Sequence, residues 1–137
     1  MEDAQPSRTP ILSDVRAHAH AMGLPVHQVV RELTELLGAT TVAVIAGVSE
    51  TRAVAQWMSE GGREPQRPHV LRFALQIATM IATHHDREFA RAWFHGSNPR
   101  LEDCSPMTLL RERPLGEVQR PITSAARAFA QRDRGSR

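Results

Sequence analysis

The chain has no lysine: all 17 of its basic side chains are arginine. Arginine-rich codon usage in a GC-rich genome would produce this. Guanidinium groups also suit bidentate contacts to phosphate and guanine, and composition does not separate the two causes. Cysteine is nearly absent. Cys104 stands alone, which excludes an internal disulfide and a cysteine-based zinc cage and points to a reducing compartment. Long apolar runs are missing as well. The longest, "VLRFALQIATMIAT" at residues 70–83, is interrupted by Arg72 and Gln76 and is too short to span a bilayer. The opening "MEDAQPSRTP" lacks the apolar segment of a secretory signal. A soluble, cytoplasmic protein is expected. Aromatics are only 4% of residues and no segment alternates with period two, so sustained strands are not expected.

What is present reads as helix. A chain of 137 residues can form one domain, or two small subdomains sharing a core. Pro6 and Pro10 suggest an N-terminal arm, and Ser13 or Asp14 a helix cap before "VRAHAHAM". Pro25 suits a first helical turn; Val26, Val29, Val30, Leu33, Leu36 and Leu37 follow at helical spacing, and Gly38 ends that helix. A short helix with Val42, Ile45 and Ala46 comes next, then a Gly47-Val48 turn and another helix opened by Ser49 or Glu50. The Gly- and Pro-containing run at residues 61–68 breaks the pattern. Val70–His84 is the most apolar helix and should be central. Asp86–His95 is a further helix, Ser105-Pro106 starts another, and Gly116–Gln131 is the last. The fold class is all-α. Three segments are expected: 1–24 as arm and helix, 25–69 as a reading head, and 70–137 as a partner-binding or dimerisation bundle.

"VAVIAGVSETRAVAQW", residues 42–57, has helix-turn-helix grammar. Ala43 is small enough to let a second helix approach, Gly47 permits the turn, Val48 plugs the core, and Ser49 caps. Val54 and Trp57, three residues apart, face inward. Glu50, Thr51, Arg52, Ala55 and Gln56 are left near the outer face. The candidate DNA contacts are Ser49, Glu50, Thr51, Arg52, Gln56 and Arg63, several of them types that reach base edges or phosphates. A bare helical bundle with a glycine turn is the plain structural alternative.

"AVAQWMSEGGREPQRPHVLRFALQIA" resembles the second half of a Xre-type helix-turn-helix, in which a Trp precedes a Gly-containing loop and a long apolar helix packs behind. Residues 86–131 resemble the toxin-binding domain of the Xre/MbcA/ParS antitoxin family. The matching positions are Ala92-Trp93, Asn98-Pro99, Leu101, Ser105-Pro106, Leu109-Leu110 and Gly116-Glu117-Val118. The resemblance spans roughly residues 35–131, and it gives "FARAWFHGSNPRLEDCSPMTLL" a scaffold role. Asn98-Pro99 would make a tight turn, and Trp93, Leu101, Met107 and Leu110 would fill the space between the flanking helices.

The resemblance implies a transcriptional repressor that is also the antitoxin of a type II pair. It would bind its operator through the Xre-like part and neutralise a RES-domain toxin, an enzyme acting on NAD, through its C-terminal part. The implied partner contacts are Arg111, Arg113, Arg120, Arg127 and Phe129. Charge distribution agrees with an anionic partner at that end: residues 1–110 hold 10 Arg against 12 acids, and residues 111–137 hold 7 Arg against 3 acids. Helix-turn-helix proteins typically meet two-fold operators, so a homodimer is expected. A stand-alone repressor, such as a phage or prophage immunity repressor, is the alternative. The neighbouring gene discriminates: a RES toxin in one case, an integrase or divergent phage promoter in the other.

An enzyme is not expected. His18 and His20 are two apart and splayed on a helix, and His84-His85 are adjacent; neither pair has the i,i+4 geometry of a helical metal site. Cys104 lies between Asp103 and Ser105 with no histidine placed to activate it. No catalytic residue, metal ligand or cofactor is expected.

Overall fold

Glycine and proline divide the chain into helices that pack around one of their own number. The computed structural model describes the backbone of residues 8–135 and the side chains of residues 14–131. Pro6 and the end of the basic tail lie outside the described residues. Helix α1 runs Arg8–Gly23. It therefore starts before Ser13 and Asp14, which were expected to cap it. Pro10 sits in its first turn, where a missing N–H leaves no helical bond unmade.

Helix α2 (Val26–Leu37) follows Pro25, whose φ of −63° is already helical in value. Helices α3 (Ala39–Ala46) and α4 (Thr51–Trp57) are short. Helix α5 (Pro68–His84) has proline at its start, and α6 (Arg87–His95) is capped by Asp86, whose side chain accepts from the Phe89 amide. A 3-10 turn (Pro99–Leu101) leads to α7 (Pro106–Glu112), and α8 (Leu115–Gly135) closes the fold. The last helix is longer at both ends than the Gly116–Gln131 expectation. Among the described residues there is no strand, only an isolated Asn98–Cys104 bridge. The molecule is all-α.

Helix α5 occupies the centre, touching α1, α2, α3, α6 and α8. Leu71, Leu75, Ile77 and Ile81 are completely buried there, each worth roughly 1.5–3 kcal/mol of transfer free energy. One apolar cluster reaches from Ala17 and Ala21 on α1 to Ala126 on α8. No helix among the described residues is long and apolar enough to cross a membrane.

The Trp93 segment turns back as its sequence suggests. The Asn98 carbonyl accepts from the amides of Leu101 and Asp103, and its side-chain oxygen accepts from the Arg100 amide. Glu102 and Asp103 take positive φ values of 56° and 64°, a region that non-glycine residues seldom occupy. The Ser105 hydroxyl then accepts from the Thr108 amide at 3.1 Å, capping α7. Trp93, Leu101 and Leu110 are buried, with Met107 packed against the same cluster.

Helix C-termini leave carbonyls without intrahelical partners, and here arginines from other elements reach several of them. Arg72 on α5 donates to the Ala21 and Leu24 carbonyls at the end of α1. Arg31 on α2 donates to Met58, next to the end of α4. Arg111 on α7 donates to Val44 near the end of α3. Arg67, just before α5, donates to Leu110 and Arg111 at the end of α7. Cations at these ends also oppose the negative pole of each helix dipole.

Candidate nucleic-acid interface and partner surface

The α3–α4 corner follows from local chemistry. Gly47 adopts the left-handed conformation, φ +83° and ψ 22°, which costs a side-chain-bearing residue free energy. The Gly47 amide bonds the Val44 carbonyl and the Val48 amide bonds the Ala43 carbonyl, both at 3.0 Å. This pair of bonds is a Schellman closure, which brings the residue after the glycine back onto the helix. Val48 is accordingly packed on the core and Ala43 is buried. Of the two residues expected to open α4, Ser49 and Glu50, it is Glu50 that occupies the cap position, in extended backbone and with no side-chain capping bond; the capping role given to Ser49 is not seen.

On α4 the two faces separate. Val54 is 0% exposed and Trp57 7%, while Thr51, Arg52, Ala55 and Gln56 are exposed. Ser49, Glu50, Arg52, Gln56 and Arg63 line one shallow depression together with Val48 and Ala53. Thr51 is exposed on the same helix but is not part of that lining. The structure thus brings together five of the six residues assigned to DNA from sequence. Arg63 joins them because the loop after Trp57 turns sharply at Gly62. A Cβ there would lie 2.7 Å from the Gln56 carbonyl and 3.1 Å from that of Ser59. Both obstacles are backbone, so Gly62→Ala is expected to cost about 1–3 kcal/mol through overpacking. Urea denaturation checks this, and an unchanged midpoint would show that the loop yields freely.

The C-terminal candidates do not form a single patch. Arg111 is engaged with the α3 end, and Arg113 pairs with Glu117 one turn along α8. Arg127 pairs with Asp14, tying α8 to α1. Arg120 is exposed and lines one shallow depression with Arg127, Gln119, Thr123 and Ser124, so these two candidates are brought together. Phe129 lies half-buried with its ring 4.7 Å from that of His85 and 6.4 Å from that of Trp93.

Sequence reading missed the surface that Phe129 belongs to. It is a groove of about 640 Å³ between α6 and α8, lined by Phe89, Trp93, Pro99, Arg100, Ala125 and Phe129 among others. Phe89 is 51% exposed, one of the few large apolar side chains so placed among the described residues. The signal was present: Phe89 and Trp93 lie four residues apart on α6 and share one helical side.

The histidines are splayed as their spacing requires. His18 bonds Gln76 on α5, whereas His20 pairs with Glu32 on α2. Among the described residues no group of three or more His, Cys, Asp or Glu side chains is placed to hold a metal ion. Comparison of the chain with protein-family models, with curated proteins and with solved structures finds no match.

Proposed function

We propose that this protein is a DNA-binding transcriptional repressor that reads its operator with α4. In this reading it also serves as the antitoxin of a type II pair, engaging a RES-domain toxin through its C-terminal helices. The observation that carries the first part is the division of α4. Its apolar side is anchored by Val54 and Trp57, and its polar side, with Arg52, Gln56 and the nearby Arg63, stands open on one surface. An α-helix with its side chains is about 10–12 Å across, a width that the major groove admits.

Arg52 and Gln56 sit four apart and present a bidentate donor and an amide, types suited to guanine and adenine edges. Arg63 is suited to a flanking phosphate. A two-fold operator and a homodimer belong to the same reading. The second part rests on the resemblance of residues 86–131 to the antitoxin family, and is supported by the apolar groove between α6 and α8, which a protein partner could cover.

The test is a salt-titrated binding assay on the DNA upstream of the protein's own gene, with and without the product of the adjacent gene. Arg52→Ala is expected to weaken specific binding by about 1–3 kcal/mol while leaving non-specific binding nearly unchanged. Equal losses on specific and random DNA would move base reading to another surface. No effect of the adjacent gene product, on DNA affinity or by direct binding, would leave a repressor without a toxin.

A further inference from the structure

We infer that Arg67 and Arg111 are positioning residues for α4, a clasp through which the C-terminal bundle sets the orientation of the reading helix. The inference deepens the proposed function and rests on it for its DNA consequence. Its structural half stands separately.

The geometry is a closed loop. Helix α4 hangs between two anchor points, the turn at its start and the residue-58–67 connection at its end. The first anchor is the Val44 carbonyl. It already accepts from the Gly47 amide at 3.0 Å, the bond that shapes the corner, and it also accepts from Arg111 at 3.1 Å. The second anchor is Arg67, the last residue before α5, whose guanidinium holds the Leu110 and Arg111 carbonyls at 3.1 and 3.3 Å. Both ends of the segment that carries α4 therefore terminate on the last turn of α7. Arg111 takes part twice, through its side chain to one anchor and its carbonyl to the other.

Three features make this more than routine surface bonding. The contacts join residues 67, 43 and 44 positions apart in sequence, so they report tertiary placement and not local turns. Helix α7 also packs directly along α3, so any shift of α7 is transmitted to the first helix of the corner. Finally, α4 buries only Val54 and Trp57 of its seven residues; these two anchor its inner side, and the contacts at its ends complete the constraint on its direction. Because linkage is reciprocal, a partner that moves α7 would alter DNA affinity, and bound DNA would alter affinity for that partner.

The experiment measures residue-resolved amide hydrogen exchange in the full chain for the wild type, Arg111→Ala, Arg67→Ala and Arg111→Lys. Arg87→Ala, an exposed α6 cation, is the charge-loss control. Loss of either arginine is expected to speed exchange of the Gly47–Trp57 amides by about five- to tenfold, with α5 protection unchanged. Lysine at 111 should recover part of it, since a single ammonium can still reach one carbonyl. Operator affinity of the same variants should fall with their exchange rates. Unchanged exchange in both alanine variants would overturn the clasp. A uniform rise that includes α5 would also overturn it, by reducing the arginines to general stabilisers. Local acceleration in a protein that binds no DNA even as wild type would uphold the clasp and reject the proposed function.

Discussion

Trp57→Ala is expected to destabilise the fold by about 3–5 kcal/mol and, under the proposed function, to abolish specific DNA binding with it. Trp57 is 7% exposed and faces the start of α2, sharing a small cavity wall with Pro25, Val26 and His27 and with Gly61 to Glu64 of the following loop. The ring is the main apolar body joining α4 to that end of the molecule. Val54, its companion, is completely buried but much smaller. Removing the indole leaves a void beside the Gly61–Glu64 loop, and the cost depends on how far the site collapses into it. Equilibrium urea unfolding measures it. A loss below about 1 kcal/mol would mean that α4 is not anchored through Trp57, and the division of its faces would no longer support DNA reading.

The second large effect is expected at Arg72. Its guanidinium nitrogen donates to the Ala21 carbonyl at 2.9 Å and the Leu24 carbonyl at 2.6 Å. Among the described side chains, α1 contributes only the small Ala17 and Ala21 to the buried cluster, so this arginine adds to an attachment that also uses His18–Gln76, His20–Glu32 and Arg127–Asp14. Arg72→Met keeps the aliphatic stem packed and deletes only the donors. It is expected to cost about 2–4 kcal/mol and to open α1 to limited proteolysis before the remaining helices. Uniform protease sensitivity along the chain, or a cost under about 0.5 kcal/mol, would show that water serves those carbonyls equally well.

Much of the architecture could be read from punctuation. Gly38 and Gly47 bound helices where expected, and Ser105-Pro106 caps α7 through a local bond that sequence spacing specifies; α5 starts at Pro68, two residues before the expected Val70, because proline suits a first helical turn. The inward pair on α4 follows from helical geometry alone. Boundaries governed by backbone details were less legible. "SETR" left both Ser49 and Glu50 open as the start of α4, and the structure selects Glu50. The start of α1 was misplaced because Pro10 is acceptable in a first turn and so carries no stop signal there. The arginine clasps were invisible, since a side chain bonded to a carbonyl 44 or 67 residues away has no local pattern. Arg72 looked only like an interruption of an apolar helix, and Arg111 like a partner contact in the basic C-terminal segment. The groove at Phe89 lay between two helices whose mutual placement the sequence did not specify.

Helix ends in this protein are closed by guanidinium groups, at Arg31, Arg67, Arg72 and Arg111. A guanidinium presents several N–H donors in one plane and can hold two carbonyls at once, as Arg67 and Arg72 do, whereas an ammonium is a point charge on a flexible stem. A variant with lysines at those four places should therefore keep its net charge yet unfold at a distinctly lower urea concentration.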